Sequence, residues 1–431
     1  MRKTESASPV NLNWPHLRAN VNAPIHAMLA RWLFFASVRK LELQVIMPGG
    51  KTYGDGRGHF ESGGDPALRI IDPECFFSRI GRDGTLGFGE SYLLGAWRTG
   101  HGARVTFEDS DELVAWLEIY AASLKEKESS ILPRLRSLWH RSLPVSEPNS
   151  VHGARRNVQA HYDLDPGLFK LFLDPWMVYS SAWFDASDDL ESAQMRKLDA
   201  VLDLAHVGSG TRLLDIGSGF GGLAIRAAGE RGAKVTGITL SEKQCQYATR
   251  WAERLKLGEQ VTFLLEDYRK HGGTYDAIAS VEMIEAVGPD YWVDFFKAID
   301  HLLTPSGYSC LQVITFPHQK MVASLRDFSW VDRYIFPGGA LPSLREINRI
   351  LGTSTALEVV EARRLTGSYA CTLRSWRRNF LAARDEIVGL GFDETFVRLW
   401  TLYFSYFEAG FRARYCDVWQ LGLRKLSKNH T

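Results

Sequence analysis

The stretch LLDIGSGFGGLAIR, residues 213–226, decides the fold. An apolar run ends in Asp215, glycines follow at 217, 219, 221 and 222, and LAIRAA continues with helical spacing. A strand feeding a glycine-rich turn and then a helix is how α/β proteins bring backbone N–H groups to a nucleotide. Outward from this point, TRLLDIG, AKVTGIT, VTFLLED, YDAIASVEM and YSCLQVIT read as strands with helical stretches between most of them. Such alternation predicts a mainly parallel sheet with helices on both faces. After residue 320 the sequence reads as mostly helical and rich in aromatics.

A glycine-rich turn alone does not say which nucleotide is held. Dinucleotide sites want an acid about 20 residues further on to grip a ribose. Here the first acid, Asp215, stands on the strand itself, which suits a cationic ligand better than a pyrophosphate. S-adenosylmethionine carries an ammonium, a sulfonium and no phosphate. Asp215 would order the turn or reach the amino-acid end of that cofactor. The second strand ends in VTGITLSEKQ, offering Thr239, Ser241 and Gln244, and the third in LEDYR. There Asp267 could accept from the adenine N6, and Tyr268 could flank the ring.

Composition narrows the classes further. With 431 residues the chain is long enough for two or three domains, and 45% hydrophobic residues can fill a large core. A formal net charge of +1 gives no global attraction to nucleic acid, so no nucleic-acid partner is expected. Cys75, Cys245, Cys310, Cys371 and Cys416 are scattered without zinc spacing, so no metal and no disulfide framework are expected. The N-terminus shows no signal-peptide pattern, and the apolar run at 26–38 is broken by Arg31. A cytoplasmic protein, peripheral on the inner face of the membrane, is the expectation.

The expected organisation is an arm and helix at 1–39, a small α+β domain at 40–124, a basic helix and linker at 125–154, and the nucleotide-binding domain at 155–431. Arg134, Arg136, His140 and Arg141 alternate with Leu135, Leu138 and Trp139, a pattern that can lie on anionic lipid or be a solvated helix.

Several further segments carry a family likeness: HYDLDPGLFKLFLDPWMVYSSAWF (161–184), YDAIASVEMIEAVG (275–288), YIFPGGALPS (334–343), YACTLRSWRRNF (369–380) and EAGFRARYCDVWQLGL (408–423). With the glycine turn, VTGITLSEKQ, LEDYR and the earlier GESYLLGAW, the chain resembles the cyclopropane-fatty-acyl-phospholipid synthase family. The resemblance implies a class I methyltransferase fold, with a small N-terminal α+β domain and a helical, aromatic-rich C-terminal cap with an acyl-chain pocket. It also implies adenosylmethionine as cofactor and, as substrate, the cis double bond of an unsaturated phospholipid acyl chain. An alkene attacks the methyl donor to leave a carbocation, so such a site must exclude water, stabilise a cation and accept one proton.

The same resemblance assigns residues. Tyr179 and Ser180 fall at the methyl-donor end of the cofactor, and Asp215, Gly217, Gly219, Thr239, Leu240, Gln244 and Asp267 hold it. A bound bicarbonate, the family's proton acceptor, would be caged by Glu285, the backbone of Ile314, and Tyr369. Two cage positions depart from the best-known pattern, with Ser181 for a cysteine and Gln312 for a histidine. The implied product is a cyclopropane. The alternative is a methyl- or methylene-branched chain, finished by a separate flavin- or nicotinamide-dependent reductase; MVYSSAWFD and the FPH after QVIT look closer to that subgroup. A small-molecule methyltransferase is a remote alternative, and a homodimer is the family's habit.

Other residues admit plainer roles. Glu282, three positions before Glu285, reads equally as structural partner or catalyst. His318 is a general base or a solvated loop histidine, and His161 a cofactor neighbour or part of a packed polar cluster. Trp376, Trp400, Phe380 and Phe404 are core or tunnel wall.

Overall fold

The computed structural model describes residues 14–18, 24–39, 43–54, 66–100, 106–126, 164–186 and 188–426. Most of the expected N-terminal arm, the basic 134–141 stretch and His161 lie outside them. The chain forms two compact units. One comprises residues 1–142, 328–335 and 373–415; the other comprises 143–327, 336–372 and 416–431.

In the second unit, the five expected strands are present: β5 (Arg212–Ile216), β6 (Lys234–Thr239), β7 (Val261–Leu265), β8 (Tyr275–Val281) and β9 (Leu303–Thr315). They are joined by β10 (Leu357–Arg364) and β11 (Asp417–Lys425) in the order β10-β11-β9-β8-β5-β6-β7. The strands from β9 to β7 run parallel, while β11 pairs antiparallel with both β9 and β10. Alternate residues of β5 show why the sheet is covered twice. Leu213 packs with the helices Leu190–Leu204 and Gly222–Arg231, whereas Leu214 and Ile216 pack with Phe295, Phe296 and Ile299 of Trp292–Leu302. A strand buried on both faces must be apolar at successive positions, as RLLDI nearly is.

The segment after 320 is mostly helical, as expected, but it also holds these two antiparallel strands, which the sequence pattern does not reveal. β10 reads LEVVEARR, charged enough to pass for a helix surface, because it lies at the sheet edge with only Leu357 buried. Its arginine Arg364 is paired with Asp417 of β11.

The first unit holds a four-stranded sheet in the order β2-β1-β3-β4, made of β1 (Gln44–Ile46), β2 (Thr52–Tyr53), β3 (Ala67–Ile70) and β4 (Trp97–Arg98). Residues 373–415 also pack in this unit. The reason is a buried ion network. Arg377 lies between Glu408 (2.9 Å) and Asp111 (2.6 Å), tying the helix Glu394–Arg412 to Phe107–Glu126. Around it Phe380 stacks on Trp400 at 5.9 Å and Trp376 meets Phe404 at 6.2 Å, all four deeply buried. These aromatics are core of the first unit.

Arg377→Met should lower stability by about 3 kcal/mol, because Glu408 loses its main cation while remaining buried. The shift in urea midpoint, followed by tryptophan fluorescence, measures it. A loss below the roughly 1 kcal/mol typical of an exposed pair would contradict this account of the network.

Candidate active site

The glycine turn is built as its spacing demands. Gly217, Gly219 and Gly221 have φ of +82°, +53° and +94°, a region costly for other residues. The N–H groups of Gly217 and Ser218 both donate to the Ile238 carbonyl, closing the turn against β6. A Cβ at Gly217 would come within 2.7 Å of the Met283 side chain, and one at Gly221 within 2.8 Å of Phe263. A Cβ at Gly219 would meet nothing within 4 Å, since this residue faces an open cavity.

That cavity is lined by all ten residues expected to hold the cofactor: Tyr179, Ser180, Asp215, Gly217, Gly219, Thr239, Leu240, Gln244, Asp267 and Tyr268. Three of its lining residues, Asp215, Ser218 and Tyr268, present buried polar atoms with no protein partner: one Asp215 oxygen (Oδ2) and both hydroxyls. Buried polar atoms are nearly always bonded, so these mark where a ligand would bond. Burial raises the Asp215 pKa to about 7, against the pull of nearby Lys197. A carboxyl so placed fits the cationic end of adenosylmethionine.

The other predicted contacts are also prepared. The Thr239 hydroxyl donates to the Gln244 amide oxygen at 3.0 Å, and Ser241 caps the helix Glu242–Arg254 by accepting from the Gln244 N–H. Asp267 proves to be more than an open acceptor. Arg269 grips both its oxygens, Nε to Oδ1 at 2.9 Å and Nη2 to Oδ2 at 2.6 Å, and lies 5.5 Å over the Tyr268 ring. Adenine would therefore use the carboxylate's remaining lone pairs. Tyr179 and Ser180 are presented by the loop 174–180, which Asp174 ties down by accepting from the N–H groups of Trp176 (2.8 Å) and Val178 (3.1 Å).

Lys197 had no sequence signal, being one lysine in an amphipathic helix, yet it is wholly buried and lines the cavity. Its ammonium donates to the Ser180 hydroxyl at 2.6 Å. Burial lowers its pKa to about 8, opposed by Glu282, Asp174 and Asp215.

The expected anion cage differs from expectation at its centre. The Ser181 N–H (2.9 Å), the Gln312 amide (2.8 Å) and the Tyr369 hydroxyl (2.8 Å) all donate to the carboxylate of Glu282. The Ile314 N–H donates to Glu285 at 2.6 Å, and the other Glu285 oxygen (Oε2) is buried without a partner among the described residues. The Ser181 hydroxyl turns away to the Ala182 carbonyl. Gln312 is oriented by Gln420 of β11, whose amide donates to its oxygen at 3.0 Å; a strand missed in the sequence thus supplies this support. Burial, then the charge of Glu282, raise the Glu285 pKa to about 8. The donors proposed for bicarbonate are therefore already taken, and bicarbonate does not fit among them. The spacing EMIE was the available signal for Glu282. Its φ of +51°, a conformation costing about 1 kcal/mol, was not. His318 is engaged with Ser343 at 2.9 Å and is not among the residues lining the cavity.

Below pH 7 the Asp215 carboxyl takes up its proton and loses the charge that would pair with an ammonium. S-adenosylhomocysteine binding, read by calorimetry, should therefore weaken toward about tenfold per unit as pH falls below this pKa. Asp215→Asn should cost roughly 10–100-fold in affinity, the equivalent of one charged hydrogen bond, and flatten that profile. A variant that keeps the wild-type affinity and profile would remove Asp215 from the ligand site.

Comparison with known proteins accords with this geometry. The mycolic acid cyclopropane synthetase family profile matches residues 149–421. A tuberculostearic acid methyltransferase of Mycobacterium tuberculosis is 40% identical over 97% of this chain and 96% of its own. A cyclopropane-fatty-acyl-phospholipid synthase of Escherichia coli is 34% identical over 84% of this chain and 88% of its own. Among solved structures, a mycolic acid cyclopropane synthase complexed with SAH and CTAB superimposes with a TM-score of 0.59 at 29% identity, covering 63% of this chain and 98% of that one. The chain belongs to the mycolic acid cyclopropane synthetase family and is an S-adenosylmethionine-dependent methyltransferase.

Proposed function

We propose that the protein methylates a carbon of the cis double bond in an unsaturated fatty acyl chain of membrane phospholipid, giving a methyl- or methylene-branched chain. The observation that carries this is Glu282 in the cavity lining next to the apolar residues Ile216, Phe220, Met283 and Val287, with Glu285 held by the Ile314 N–H behind it. Adenosylmethionine, when bound, supplies an electrophilic methyl group. An alkene needs no base to attack it, but the resulting cation must lose a proton in a place closed to water. Asp215 would hold the cofactor's ammonium, and Tyr179 and Ser180 its methyl end. The branched product is preferred because the tuberculostearic acid methyltransferase matches almost end to end. Ring closure, favoured by likeness to the cyclopropane synthase, is the second reading. A separate reductase would saturate an alkene product.

Lipid docking has support in the first unit. The helix Pro24–Val38 exposes Ile25 (73%), Met28 (70%), Leu29 (39%) and Trp32 (67%), spaced to form one apolar stripe. No helix among the described residues is long and apolar enough to cross a membrane. The stripe would instead lie in the bilayer interface. Met28→Asp with Trp32→Asp should reduce co-sedimentation with phospholipid vesicles while leaving S-adenosylhomocysteine affinity unchanged. Undiminished vesicle binding would contradict this role.

The product is tested by mass spectrometry of fatty-acid methyl esters from cells expressing the chain alone and fed trideuteromethyl methionine. An unsaturated branched product is expected. Retained CD3 marks a methyl-branched alkene, and CD2 an exocyclic methylene. A saturated product bearing CD2 would establish ring closure instead, and no labelled acyl chain would overturn the proposal.

A further inference from the structure

We propose that Glu282 is the enzyme's own replacement for a bound bicarbonate: its carboxylate fills the anion cage and accepts the proton that the methylated acyl chain must lose. This rests on the acyl methylation proposed above and names the base for it. A glutamate carboxylate and a bicarbonate present the same planar O–C–O edge. Three donors from separate segments, Ser181, Gln312 and Tyr369, converge on the Glu282 edge at 2.8–2.9 Å. With both oxygens so engaged, a free anion would find these donors occupied and an acidic pair, Glu282 and Glu285, beside it.

Position in the cavity separates the two acids. Glu282 lines it together with Asp215 and Lys197, whereas Glu285 is held by the Ile314 N–H behind it and is absent from the lining. Burial raises the Glu282 pKa, and the Gln312 amide, the positive field of nearby buried Lys197, the Ser181 N–H and the Tyr369 hydroxyl all act against that rise and favour the carboxylate. Glu285, whose pKa is raised by burial and by Glu282, keeps the pair from carrying two full charges.

The backbone supports the same assignment. Glu282 holds φ +51°, where glycine would be unstrained, and its N–H is bonded to the Gln312 carbonyl at 2.8 Å. A glycine there would leave the three donors facing an empty cage. The strained glutamate is retained where its side chain has three partners.

In the step itself, a C–H bond next to the cationic carbon breaks. Its electron pair closes the new C=C bond and quenches the cation. The proton passes to a Glu282 oxygen, giving the carboxylic acid, which then releases it to solvent. No oxidant or second reactant is needed.

The test uses the full chain, oleoyl-phospholipid vesicles and buffers stripped of carbon dioxide. Wild-type turnover should not change when bicarbonate is added, and calorimetric titration of bicarbonate into its S-adenosylhomocysteine complex should show no binding. Glu282→Gly should keep cofactor binding, lose turnover by roughly 10²-fold or more, and recover with bicarbonate. Glu282→Gln, which fills the cage without offering a base, should lose turnover without recovery. Saturable bicarbonate binding to the wild type, bicarbonate-dependent wild-type turnover, rescue of Glu282→Gln by bicarbonate, or undiminished turnover of Glu282→Gly would each overturn the proposal. A wild type that methylates no lipid would overturn the proposed function alone, because the calorimetric titration reads the cage without turnover.

Discussion

The carboxylate of Glu282 is the point on which the candidate active site is assembled. An acid set this deep must be met by donors, and those donors come from chain positions far apart: the N–H of Ser181 at the end of the loop 174–180, Gln312 on β9, and Tyr369 at the start of the helix Ser368–Ala382. Three segments that share no local sequence relationship are thereby fixed around one group. Gln420 extends the network by one strand, since its amide bonds the Gln312 oxygen and leaves the Gln312 nitrogen for Glu282. A buried polar network of this kind tolerates little substitution, because removing one member leaves another unsatisfied.

Five ionisable groups share this region: Asp174, Lys197, Asp215, Glu282 and Glu285. Four are acids, yet Lys197 is the lone ammonium among them. The consequence is a set of displaced pKa values: about 6 for Asp174, about 7 for Asp215 and about 8 for Glu285, each raised chiefly by burial, and about 8 for Lys197, lowered by it. Such a site is poised to receive a cationic ligand, which would restore charge balance at Asp215. It is also suited to chemistry that generates a cation and then disposes of a proton. The glycine turn contributes little charge of its own; its role is to let the ligand approach closely where side chains would intrude.

Legibility in the sequence followed the range of the interactions. The parallel strands and glycine turn were readable because local alternation and conformational demand are written in consecutive residues, as in RLLDIGSG. Most of the candidate cofactor residues were readable because they stand at or just past the end of a strand, and a parallel sheet brings those ends to one edge. Tyr179 and Ser180, on the loop 174–180, were legible only through the family likeness. What was hidden depended on long-range pairing. β10 carries a charged surface because it is an edge, and residues 373–415 belong to the first unit through the Arg377 network. Lys197 has the appearance of any helix lysine. The acid at the centre of the cage was visible as one of two candidates in EMIE, but only the left-handed backbone at Glu282 turns it, rather than Glu285, toward Ser181, Gln312 and Tyr369.

The central claim, that this cavity serves carbon methylation of an acyl chain, is tested most directly with the purified protein. It should be incubated with methyl-labelled adenosylmethionine and vesicles of monounsaturated phospholipid, and the site of the label determined by fragmentation of the recovered lipid. The account predicts label on the acyl chain at the original double bond, and none on vesicles of saturated phospholipid. Label on the headgroup, or transfer to a soluble acceptor with the acyl chains untouched, would contradict it.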